Sequence, residues 1–192
     1  MKKVQILLSA LVVGFTTLTS VNAAPKPVNV STSASKVVWL AKKVTGEHNG
    51  TVNISKGSLA VDGNKLVGGN FTIDLKSIVC KDLTDPGYNQ KFISHITSGD
   101  FFEVEKFPTA NFIITKVAGN QVSGNMTIKG ITKAITFPAQ ISVAGGKVTA
   151  SATITLDRTD YNIKYGSKKF FESIGDKAIY DDFALTVSLV SE

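Results

Sequence analysis

Few side chains in this sequence could do chemistry, and they are scattered. The only histidines are His48, in TGEHNGTV, and His95, in the run HITSGDFFEVEKFPTANF. Cys80 is the single cysteine. No HExxH run is present and Cys80 has no cysteine partner, so the spacing of a zinc site is absent. A zinc site would need both histidines and a carboxylate to meet in space. GxSxG is also absent, which removes the nucleophile elbow of a lipase. A Cys80–His pair has no local support, so Cys80 reads as a buried, inert thiol. No catalytic residue and no metal ligand is assigned.

Two other groupings have chemical character. Asp157, Arg158 and Asp160 lie within LDRTDYNIKYGSKKFF. They form either a structural ion-pair cluster or a seat, through Arg158, for an anionic headgroup. Lys164, Lys168 and Lys169 stand beside Tyr165, Phe170 and Phe171. They make either a solvated loop with anchoring rings or a lip that touches a membrane. The stretch 95–112 sets Phe101, Phe102, Phe107 and Phe112 among Asp100, Glu103, Glu105 and Lys106.

The elements that must position these groups are mostly strands. A period of two runs through 36–44, 51–55, 58–75, 109–118, 121–130, 131–143, 147–157 and 183–191. Asp62-Gly63-Asn64 is hairpin chemistry, because Gly and Asn tolerate positive φ. Gly68-Gly69 predicts a bulge or a sharp bend, and Pro138 belongs at an edge or a bulge. The pattern changes once: Asp85 caps, Pro86 opens, and Tyr88, Phe92, Ile93 and Ile96 recur at helical spacing before Gly99. This predicts one helix over 86–98. Residues 24–35 read as a leader and 158–182 as irregular. Eight or nine antiparallel strands with one helix predict an all-β fold, an up-and-down barrel without free edges.

The ends and the charge narrow the setting. Met1-Lys2-Lys3, an apolar run over 4–19 and Ser20-Val21-Asn22-Ala23 have the layout of a secretory signal peptide, with cleavage expected after Ala23. Residues 24–192 then form one exported domain, most simply in a bacterial periplasm. Loss of Lys2 and Lys3 lowers the net charge from +6 to about +4. No dense basic run or RNA-binding aromatic motif occurs, which argues against nucleic acid.

A barrel of about eight strands can be filled by its own side chains or can hold one small ligand. Ala110, Ala139, Ala150 and Ala152 share faces with large residues, which leaves room inside; alternation of small and large residues to fill a taper is the competing reading. The sequence resembles the YceI-like family of periplasmic lipid- or polyisoprenoid-binding proteins. SKVVWLAKKVTGEHNGTV, GGNFTIDLKSI, HITSGDFFEVEKFPTANF, GNMTIKGITKAITFPA and DRTDYNIKYGSKKFF with IYDDFALTVSLV carry the resemblance, which covers nearly all of 35–190. His48, Phe101-Phe102 and Arg158-Thr159-Asp160 match recurring family positions.

The resemblance implies a lipocalin-like barrel with an apolar internal cavity, no catalysis and no cofactor beyond a bound isoprenoid, quinone or fatty-acid-like lipid. It also implies a tendency to homodimers. The tail is expected among Trp39, Phe71, Ile73, Phe92, Ile96, Phe102, Phe112, Ile114 and Phe137. The head is expected near Tyr165 and Phe170 or the lysines, with transient contact to a membrane surface. An enzyme acting on a lipid-like substrate, or a packed barrel without ligand, are the rival readings.

Overall fold

The computed structural model describes residues 24–192, so the expected signal peptide and its cleavage point lie outside the described residues. Alternation of apolar and polar residues produces nine strands: β1 (Lys26–Asn29), β2 (Lys36–Lys43), β3 (Gly46–Asp62), β4 (Lys65–Cys80), β5 (Thr109–Ala118), β6 (Gln121–Ile128), β7 (Ile131–Ala144), β8 (Lys147–Asp157) and β9 (Ile179–Val190). One helix, α1 (Pro86–Thr97), joins β4 to β5. Every ladder is antiparallel, and β2 through β9 pair in sequence while β2 also pairs with β9. The result is a closed eight-stranded barrel with α1 at one end. β1 pairs with the far half of β3, on the edge that β2 takes nearer its start, and the carbonyl of Asn29 accepts the amide of Glu192.

Local chemistry explains the joints. Asp62 pairs with Lys65 across Gly63-Asn64, and Gly63 takes the positive φ of 57° that a tight hairpin needs. Register shifts by one residue beside Gly68, where Ala60 faces Gly68 and Val61 faces Leu66. At the helix, Asp85 accepts the amide of Tyr88 at 2.9 Å and Pro86 occupies the first turn, as its missing N–H allows. Pro138 marks a change of neighbour. β7 pairs with β6 up to Pro138 and with β8 only from Ala139 onward. A proline cannot donate to a ladder, and the next amide, that of Ala139, donates to the carbonyl of Asn120.

Three departures from the sequence pattern have physical reasons. Residues 24–35 are not only a leader, because Lys26–Asn29 pair with Ser58–Val61 of β3. β3 is one strand of 17 residues, since Lys56 and Gly57 pair with Thr72 and Phe71 and only a register shift between Ile54 and Lys56 marks the place. β9 begins at Ile179, inside the stretch expected to be irregular, because Lys43 of β2 supplies a pairing partner there.

The core is the barrel interior, where Leu59, Phe71, Phe112, Val148 and Ile154 are buried. Tyr161 and Ile163, which follow β8 in a short 3-10 turn and loop, close the helix end and are 1% exposed. Gly50 of β3 lies across from Trp39, and a Cβ there would come within 2.7 Å of the indole and 1.7 Å of the carbonyl oxygen of Val79. No rotamer change relieves a clash with backbone. We therefore expect Gly50→Ala to lower stability by about 2–3 kcal/mol, or to prevent folding, measured by urea unfolding.

Candidate functional site

The inward side chains do not fill the barrel. Two adjoining voids occupy its length and meet at Val37, Ile73, Met126 and Leu185, which line both. The deeper one has a volume of about 90 Å³ and the one beside α1 about 140 Å³. One water needs on the order of 10–15 Å³ by this measure.

Small residues make this space. Ala139, Ala150 and Ala152 line the deep void and Ala110 the one at the helix end. Gly124 of β6 lets the ring of Phe112 lie flat on the wall, because a Cβ there would stand 2.5 Å from it. Phe112 in turn meets Phe71 at 6.4 Å and Phe137 at 5.6 Å between ring centroids. Aromatic pairs at these distances fix one another's orientation. Among the residues around the deep void only Ser151 is polar. Around the helix-end void only Arg158 and Tyr180 are polar.

Nine of the eleven residues singled out in the sequence face these voids. Phe71, Phe112, Ile114 and Phe137 line the deep one, Trp39, Phe92, Ile96 and Phe102 the other, and Ile73 both. Tyr165 and Phe170 line neither and are each 45% exposed. Tyr165 packs edge-on against His95 at 4.6 Å, and Lys164 lies over the ring of Phe170. Phe107 stays outside as well, against Gly130. Sequence reasoning missed Met126, Ile141, Leu185 and Val187, although their alternation within strands marked them as one-faced.

Arg158 is a structural residue. Its guanidinium donates to the carbonyls of Tyr180, Ile163, Tyr165 and Ile179 at 2.8–3.1 Å and to Asp181 at 3.2 Å. All three of its nitrogens are engaged, so the headgroup reading of Arg158 gives way to the structural one. Asp157 accepts Thr159 through its amide and hydroxyl and is capped by Lys169. Burial pushes the Asp157 carboxyl up, but these partners outweigh it and hold it below its usual range.

The histidines do not meet at a shared carboxylate. His48 Nδ1 lies 2.7 Å from Asp82, while His95 Nε2 lies 3.2 Å from Asp100. Trp39 Nε1 is buried without an acceptor among the described residues. No described helix is long and apolar enough to cross a membrane.

Comparison with known proteins agrees with this architecture. A family model described as a YceI-like domain matches residues 28–191. A UPF0312 protein of Pseudomonas putida is 30% identical over 127 residues, which are 60% of this chain and 64% of that relative. A UPF0312 protein of Vibrio vulnificus is 32% identical over 59% of this chain and 64% of its own length. The match thus spans somewhat under two thirds of these relatives. Among solved structures, Burkholderia cenocepacia BcnA superposes with a TM-score of 0.67 at 24% identity, covering 85% of this chain and 99% of that one. A polyisoprenoid-binding domain from Saccharophagus degradans superposes with a TM-score of 0.63 at 14% identity, covering 85% and 97%. At these identities the likeness is one of fold.

The saturated guanidinium gives a direct expectation. Arg158→Met would leave four carbonyls and Asp181 without their donor and should cost about 3–5 kcal/mol in urea unfolding.

Proposed function

Because this chain belongs to the YceI-like family, we propose that it binds the apolar tail of a long-chain lipid inside its barrel and carries or stores it in the periplasm. The observation that supports this most is the pair of adjoining apolar voids running the length of the closed wall. Their lining holds only Ser151, Arg158 and Tyr180 as polar residues and no acid–base pair among them, which favours binding over catalysis. The polyisoprenoid-binding domain of similar fold supports an isoprenoid tail, and quinone or fatty-acid-like tails fit the same chemistry.

The energetics are sufficient. Each buried CH₂ contributes ~0.8 kcal/mol, so ten carbons gain on the order of 8 kcal/mol before ordering costs, near micromolar affinity. A guest in these voids also restores dispersion contacts that the lining residues lack.

The head would sit at the helix end. There Phe170 (45%) and Phe171 (51%) are exposed beside Lys164, Lys168 and Lys169. Rings that insert among headgroups and lysines that face anionic lipid would bring the opening to a membrane surface for exchange.

The test is solvent extraction of the purified protein followed by mass spectrometry, with wild type and Ala152→Phe side by side. Ala152 lines the deep void, and a ring there would fill space meant for the tail. Wild type should yield lipid in near-stoichiometric amount or take up added quinone. Ala152→Phe should keep its fold and lose about tenfold or more in affinity for long tails, the equivalent of two or more CH₂ groups. Absence of any lipid or uptake in wild type would overturn the reading.

A further inference from the structure

We propose that His48, Cys80 and Asp82 form a binding site for a divalent transition-metal ion of the Zn²⁺ type, at the helix end of the barrel. The three side chains reach one point from two strand ends. His48 lies near the start of β3, Cys80 is the last residue of β4, and Asp82 follows it. Their imidazole nitrogen, thiol sulfur and carboxylate oxygen all lie within 4.8 Å of one another. His48 Nδ1 and Asp82 Oδ2 are 2.7 Å apart, and the Cys80 thiol donates to Asp82 Oδ1 at 3.3 Å. Around a tetrahedral zinc with bonds of 2.0–2.3 Å, ligand atoms stand roughly 3.3–3.7 Å apart. Shifts of about an ångström convert one arrangement into the other. One nitrogen, one sulfur and one oxygen suit a borderline ion and not magnesium or calcium, which take oxygen.

The ligands are held from behind, as built metal sites require. Asp82 Oδ1 accepts the amide of Asn49 at 2.8 Å, and the amide of Lys81 donates to the carbonyl of Asn49. Asn89 of α1 donates to the carbonyls of Cys80 and Leu83, at 2.9 and 2.8 Å, and so clamps the loop that carries Asp82. The imidazole of His48 packs on the ring of Phe92 at 4.6 Å.

The charges balance. The Cys80 thiol is a hydrogen-bond donor to the Asp82 carboxylate. Binding displaces the thiol proton to solvent, and thiolate plus carboxylate neutralise the two positive charges. The thiol donates to the carboxylate and not to the imidazole. The trio is thus not arranged as an activated nucleophile, for which the base must take the thiol proton. Three protein ligands leave a fourth position for water or for an oxygen of a guest. Phe92, which carries His48 on one side, lines the helix-end void and stacks on Trp39 at 6.0 Å.

The test is titration of the purified, tag-free, reduced protein with Co²⁺, followed by competition with Zn²⁺. Wild type should take up one equivalent of Co²⁺ with the near-ultraviolet charge-transfer band of a cobalt thiolate, and Zn²⁺ should abolish that band. Cys80→Ser should lose the band. His48→Ala and Asp82→Asn should weaken binding by about tenfold or more. Circular dichroism identifies any variant that fails to fold, and the remaining variants then decide. Wild type without saturable Co²⁺ or Zn²⁺ uptake at micromolar concentration, or equal uptake by folded Cys80→Ser, overturns the site. Neither result depends on whether the barrel holds lipid.

Discussion

Closing eight strands into a ring forces every second side chain into a space that backbone geometry fixes in advance. Everything else in this protein follows from how that space is under-filled. Where an inward position carries Ala or Gly, the opposite ring cannot expand to compensate, because its own strand holds it at a set distance. Gly124 shows the dependence in reverse: Phe112 takes up the room of the missing side chain, lies against the wall and leaves the axis free. A core built this way gives up packing contacts. The remaining stability must come from the ladders, from the capped helix end and from buried rings that touch one another.

The helix end accordingly carries most of the polar construction. Arg158 ties the loop after β8 to the start of β9 through four carbonyls and Asp181. Asn89 ties α1 to the end of β4, and Lys129 reaches from the β6–β7 turn to the carbonyl of Gly99. These bonds let an end that is not a simple hairpin stay ordered while a void lies directly beneath it. A buried guanidinium is tolerated there because every donor it brings is used, whereas an incompletely paired one would destabilise the end it joins. The same saturation leaves Arg158 no donor for a further anion.

Much of this was legible in the sequence because barrels write their inside and outside as alternation. Val148, Ala150, Ala152, Ile154 and Leu156 could be assigned to one face without any structure, and they do face inward. The helix was legible because Asp85 and Pro86 perform a local task that needs no tertiary partner. Tyr165 and Phe170 were harder. They lie in a segment without period, where a ring beside lysines can turn in or out, and both turn out. β1 was missed because it is four residues long and includes a proline, so its alternation is too short to stand out.

The grouping of His48, Cys80 and Asp82 shows why constellations are harder to read than faces. An unbroken hairpin counted back from Asp62 and Lys65 would set His48 opposite Val79. The structure pairs Gly50 with Cys80 and Thr51 with Val79 instead, because β4 carries extra residues between Asp74 and Val79. Those residues leave the ladder where Ser77 bonds back to the carbonyl of Asp74 and accepts the amide of Asn53, and where Leu75 donates to Pro108. The displacement carries Asp82 to the level of His48 and sets Leu75 and Ile78 along the helix-end void. One irregularity thus shapes both the apolar chamber and the polar cluster beside it. Counting along the sequence could not reveal it, because register depends on how many residues each bulge absorbs, and that number is fixed only when both strands and their neighbours have closed.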